Sequence, residues 1–204
     1  MTENGSQHPY VTWTKQRLDE MDAALASIET KASQLEADAK SKATQLNADL
    51  KKRREDFEAE VKAHLKAGEA ALQTSKTQLE KQWASFEAEL ETYVETVCKD
   101  IDQKRTTFAD IAAAQAKTWG EAVEKLQTAA SEVGAENRAK VDKAIAQLQA
   151  GKTEAKARLE ELKQAGDESW AALSAALQTS RKKFDEASQS AWEAVKNAVP
   201  TIKS

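Results

Sequence analysis

Between Pro9 and Pro200 the chain contains no proline, and over those 190 residues large apolar side chains recur every three or four positions with charged residues between them. Proline removes a backbone donor and clashes with the preceding turn, so its absence leaves a helix free to propagate. The spacing matches the 3.6-residue period of an α-helix and not the two-residue period of a strand. An all-α chain is therefore predicted. Composition agrees: 31% of residues are charged and 5% aromatic, with six glycines in 204 residues, values that belong to long helices and coiled coils. Disorder is the competing reading, but 30 basic residues nearly balance 34 acidic ones, and five tryptophans accompany a regular apolar stripe that disordered chains lack.

Val11, Leu18, Leu25 and Ala32 repeat at seven residues, as do Thr14, Met21, Ile28 and Leu35, which predicts a coiled-coil strand at the start of the chain. Further on the period becomes eleven. One row runs from Leu35 through Leu46, Phe57, Gly68, Leu79 and Leu90 to Val123; a second holds Leu50, Val61, Leu72, Trp83 and Val94; a third holds Phe86, Val97, Phe108, Trp119, Ala130 and Val141. Leu148, Leu159 and Trp170, with Leu162, Leu173, Phe184 and Val195, continue the pattern. Eleven residues in three turns is close to the natural helical repeat, so these helices should lie side by side almost without supercoil. A single helix of 190 residues would be about 285 Å long with its stripe bare. Each large side chain removed from water contributes roughly 1.5–3 kcal/mol, so the chain should fold back on itself or associate with another copy.

Pro9 suits a first helical turn and Pro200 stops a last one. Gly68 and Gly134 divide the interval into nearly equal parts. The expectation is a polar leader (1–9), a single elongated helical domain (10–199) with turns near 68 and 134, and a short tail (200–204). Three antiparallel helices of about 60 residues, each about 90 Å long, are preferred, with a two-helix hairpin or a helical dimer as alternatives. Leu72-Gln-Thr-Ser, Leu126-Gln-Thr-Ala and Leu177-Gln-Thr-Ser hint at an internal repeat, but their spacings of 54 and 51 residues are too irregular for a solenoid.

No catalytic, cofactor-binding or metal-ligating constellation is found, and no cofactor is implied. His8 lies in the leader and His64 among Lys62, Leu65 and Lys66, with no second histidine at ligand spacing. His64 is expected to be solvated. Cys98 follows Val94 and Val97 and precedes Ile101, where a buried, inert thiol is expected. Acidic pairs such as Glu160-Glu161 carry no information among 34 carboxylates. The basic runs Lys51-Lys52-Arg53-Arg54 and Arg181-Lys182-Lys183 are flanked by acids in a chain of pI about 5.5, so intrahelical ion pairing on a solvated face is favoured over nucleic-acid binding. The lone cysteine and a leader without an apolar core point to the cytoplasm. No stretch is long and apolar enough to span a membrane. Trp83, Trp119, Trp170 and Trp192 lie on or beside the stripe and could anchor a helix on lipid; filling the bundle interior is the preferred role.

Two end segments carry a resemblance. Tyr10-Val11, Leu18-Asp19-Glu20-Met21-Asp22, Lys31-Ala32 and Leu35-Glu36-Ala37-Asp38-Ala39-Lys40, and at the other end Leu159-Glu160-Glu161-Leu162-Lys163, Ala165-Gly166-Asp167-Glu168-Ser169-Trp170 and Ala191-Trp192-Glu193-Ala194, resemble a family of small bacterial coiled-coil stress-response proteins. The resemblance covers roughly 40 residues at each end. It implies a cytoplasmic protein associated with stress, of undefined biochemical activity, and supplies no functional residues. The expected function is thus a non-enzymatic structural or protein-interaction element that self-associates. The alternative is an apolipoprotein-like binder of lipid or hydrophobic particle surfaces; a third reading is a desiccation protectant that is unfolded in dilute buffer.

Overall fold

The computed structural model describes residues 9–33, 35–131, 133–164 and 167–198. These residues form six helices: α1 (Pro9–Ala32), α2 (Ala37–Ala67), α3 (Glu69–Val97), α4 (Ile101–Ala130), α5 (Ala135–Gln164) and α6 (Asp167–Ala198). The expected turns at Gly68 and Gly134 are present, and Pro9 does open the first helix. Gly68 has φ +99°, a conformation that side chains rarely adopt, and its N–H caps Leu65 O at 3.3 Å. Three long helices are nevertheless not what forms. Each expected 60-residue segment is interrupted near its middle, giving helices of 24 to 32 residues, or roughly 36–48 Å. Gly166, the leader, Pro200 and the tail lie outside the described residues.

The unexpected breaks are made by side chains. After α1, Ser33 Oγ donates to Thr30 O at 2.7 Å and Leu35 N returns to Ala32 O at 3.4 Å. Before α4, Asp100 Oδ1 accepts from Gln103 N at 2.8 Å while Gln103 Oε1 accepts from Lys99 N at 3.1 Å. This is a close variant of the capping box, in which two amides orphaned at a helix start satisfy each other's side chains. An ion pair from Lys99 to Glu36 joins this turn to the one after α1.

The six helices are two copies of one three-helix unit. Ala32 and Ala130 end α1 and α4, Ala37 and Ala135 start α2 and α5, and Glu69 and Asp167 start α3 and α6, each pair 98 positions apart. The turn chemistry repeats as well: Ser131 Oγ donates to Thr128 O at 2.6 Å and Val133 N to Ala130 O at 3.1 Å. So does the core, where Met21 and Trp119, Leu25 and Val123, Ile28 and Leu126, Leu50 and Leu148, Phe86 and Phe184, and Val97 and Val195 are all buried. Leu72-Gln-Thr and Leu177-Gln-Thr do lie in corresponding helices, α3 and α6, but seven residues, about two turns, out of this register.

Each unit has its own apolar core. In each, the last two helices form a hairpin, α2 with α3 and α5 with α6, and the first helix packs against the other unit. Helices α1 and α4 run antiparallel: Lys31 near the end of α1 meets Asp110 in the first half of α4 at 2.7 Å, and Asp19 meets Lys125 at 3.9 Å. Equivalent helices paired antiparallel across their own equivalent faces are what an approximate two-fold axis produces. The apolar rows therefore do not lie on continuous helices; they cross the turns because the burial phase resumes after each one.

Candidate functional site

Where the two units meet, charge is buried beside apolar contacts made by Phe108 and Ile111 of α4. Helix α1 is enclosed by α2, α3, α4 and α6, so more than one of its faces is covered. Trp13, Gln16, Arg17 and Glu20, at helical spacing on its second face, are all buried, with the Arg17 and Glu20 side chains at 0% exposure. Arg17 Nη1 meets Glu20 at 3.0 Å and its Nη2 pairs with Asp185 of α6. Arg181, one turn before Asp185, pairs with Glu87 of α3 and approaches Glu20 at 3.6 Å. The two guanidiniums share one ring: Arg17 lies 4.8 Å and Arg181 4.4 Å from the centre of Trp83. Arg17 also approaches Trp13 at 5.7 Å. Such contacts favour a planar cation away from water.

The carboxylate of Glu20 is hydrogen-bonded through one oxygen, while the other lies at ion-pair distance without a hydrogen bond. Its Oε1 accepts from Gln16 Nε2 and from Trp119 Nε1, both at 3.0 Å, and its Oε2 faces the two arginines. Trp119 in turn stacks on Phe184 with ring centres 4.7 Å apart, so the donor is held by the second unit's core. Burial pulls the Arg17 guanidinium down, but Glu20, Asp185 and Glu87 together outweigh it and hold it above its ordinary value. Burial pushes Asp185 up to about 6, opposed by Arg17 and Arg181 and reinforced by Glu20. Burial raises Glu87 also, against Arg181 and Arg17.

The cluster forms the floor of a groove between α3 and α6, which do not pack on one another directly. Beside it a cavity of about 70 Å³, walled by Val94, Phe108, Ile111 and Trp119, opens toward Glu87 and Arg181. A cavity of roughly 150 Å³ is known to take benzene, so this one has room for about two waters and not for a metabolite.

The residues weighed from sequence fall elsewhere or into new roles. Cys98 is buried in the first core, its Sγ 3.4 Å from Thr107 Oγ1, and burial raises its thiol, which keeps it protonated and inert. His64 is not freely solvated: it is half-buried, with Nε2 3.4 Å from Glu60. Among the described residues no three histidines, cysteines or carboxylates come together as metal ligands. The first basic run pairs mainly with neighbouring helices, where intrahelical pairing was expected: Lys51 with Glu29 at 2.5 Å, Arg53 with Glu89 at 3.0 Å, and Arg54 with Asp22 at 2.7 Å. Only Arg54 with Glu58 follows the intrahelical pattern there. The second run supplies Arg181. Trp13, Trp83, Trp119 and Trp192 are interior residues, whereas the side chain of Trp170 lies outside those described. Sequence reasoning missed Arg17, Glu20, Glu87 and Asp185 because buried charges look like surface ones; Trp13, Arg17 and Glu20 at helical spacing were the available signal. Comparisons with family models, curated proteins and solved structures return no match for the chain.

Proposed function

We propose that this chain is a non-enzymatic helical element that serves a cytoplasmic stress response by structural support or protein interaction. The observation that carries the reading is that the stripe is covered from within: among the described residues Leu65, 42% exposed, is the one large apolar side chain left in water. The stripe therefore needs neither a membrane nor a second copy to hide it, and self-association, if it serves the function, runs through polar faces. The α2–α3 and α5–α6 hairpins, packed along eleven-residue rows as antiparallel coiled coils, are the surfaces such an element presents. No helix among the described residues is long and apolar enough to cross a membrane.

Binding to lipid or to an apolar particle is the second reading, favoured by one feature. The units are joined by a three-residue linker, Cys98 to Asp100, and by a junction that mixes charge with apolar contacts from Phe108 and Ile111, so their parting would expose amphipathic helices. Flotation of the full chain with vesicles of mixed zwitterionic and anionic lipid separates the two. The protein is expected to stay at the bottom of the gradient, and recovery with the vesicles would replace the first reading by the second.

A further inference from the structure

Three carboxylates and two guanidiniums share the junction, Arg17 and Glu20 fully buried and Arg181, Asp185 and Glu87 partly exposed at 13%, 21% and 36% on the groove side. Arg17 and Glu20 come from α1, Glu87 from α3, and Arg181 and Asp185 from α6, so the first unit supplies a net negative charge and the second is balanced. The contacts from Arg17 to Asp185, from Arg181 to Glu87, and from Trp119 and Arg181 to Glu20 all cross from one unit to the other. The surplus negative charge is partly withdrawn from water only while the units are docked. Once they part, every member returns to water.

We propose that this cluster is a proton-operated latch: the docked molecule holds one proton more than the separated units, so acidification tightens the junction and rising pH loosens it. An unmatched charge in a weakly polarisable interior is costly, and one proton restores two against two. The proton goes to Asp185 or Glu87, because donors already face both oxygens of Glu20. Helix α4 presents the uncharged Gln115 and Trp119; α3 adds Lys76, Glu80 and Glu91 along the groove, the first two already paired at 3.7 Å; α6 adds Lys182 and Glu186, of opposite sign.

The raised position of Asp185 at about 6 has the matching sign. A carboxyl that titrates higher in the folded chain than in the unfolded one gives its full stability below the unfolded value near 4, and that stability is withdrawn as pH rises through about 6. The latch thus works in the opposite direction to ordinary acid denaturation.

Equilibrium unfolding of the full chain in denaturant, from pH 5 to 7.5, tests this in wild type, Asp185→Asn and Glu87→Gln. Between pH 5 and 6 the wild-type unfolding constant is expected to rise by about fivefold relative to Asp185→Asn, short of the tenfold-per-unit limit for a single proton, and to level off above about pH 7. Both substitutions balance the cluster and should flatten the profile. Retention of the wild-type slope in both variants, or greater wild-type stability at pH 7.5 than at pH 5.5, would overturn the latch. A carboxyl-detected NMR titration of intact wild type needs no variant to fold: one side-chain carboxyl should titrate near pH 6, and the idea fails if all of them titrate below 5.

Discussion

The two units share their turns and their apolar positions but not the charges where they meet. Around the junction Arg17 answers to Gln115 and Glu20 to Thr118, Trp13 to Ile111, and in the reverse sense Trp83 to Arg181. Of the five charged residues of the cluster, Glu87 and Asp185 are the equivalent pair that keeps its sign. A strictly two-fold junction would have placed two arginines and two glutamates from α1 and α4 around the axis. Here α1 supplies the pair and α4 supplies Trp119 as a hydrogen-bond donor, so like charges never face their own copies. Apolar residues recur because any side chain of suitable volume fills a core, whereas a buried ion needs a partner at one particular place.

The comparison breaks most sharply at Arg17. Replacement of Arg17 by Met leaves Glu20 and Asp185 buried without their cation and is expected to cost about 3–5 kcal/mol. Gln115, buried at the equivalent place with Nε2 unpartnered, should tolerate Met at a change within about 1 kcal/mol. Denaturant unfolding of both variants checks the contrast, and equal losses would mean that the junction is as symmetric in energy as in shape. The shared core sharpens the opposite side. Phe86→Ala and Phe184→Ala each remove a fully buried ring and should each cost about 3–4 kcal/mol, with broad unfolding in either showing that the units melt separately.

Trp119→Phe keeps most of the stack on Phe184 but removes one of the two neutral donors to Glu20, for an expected loss of about 2 kcal/mol by thermal melting. Smallest is Asp100→Ala, which removes the cap between the units and should cost about 1 kcal/mol. Hydrogen exchange is the better probe there, because the loss concentrates in the first turn of α4.

Much of this was legible in the sequence, and the remainder was hidden for identifiable reasons. Helix, the turns at Gly68 and Gly134, and the interior place of Trp83 and Trp119 follow from period and from glycine as a poor helix former, although only Gly68 of the two turn glycines takes a positive φ. The break after Ala32 contains neither glycine nor proline; its signal was Thr30-Lys31-Ala32-Ser33, repeated as Thr128-Ala129-Ala130-Ser131. The break at Lys99 was carried by Asp100 and Gln103, three residues apart, a capping pattern that a search for glycine passes over. The register of 98 escaped notice because cores conserve volume and phase more than identity, as Met21 and Trp119 show. Arg17 and Glu20 were invisible as a site because a helix enclosed on several sides has no face on which charge reports exposure.

The short connection from Cys98 to Asp100 has a consequence for how this pair of units assembles. Two separate chains meeting across such a junction would part on dilution, since encounter is second order. Joined by three residues, each unit sees the other at an effective concentration on the order of millimolar or above. Midpoint temperatures should then be independent of protein concentration, and a junction that would open between two free molecules at high dilution can still be closed in one.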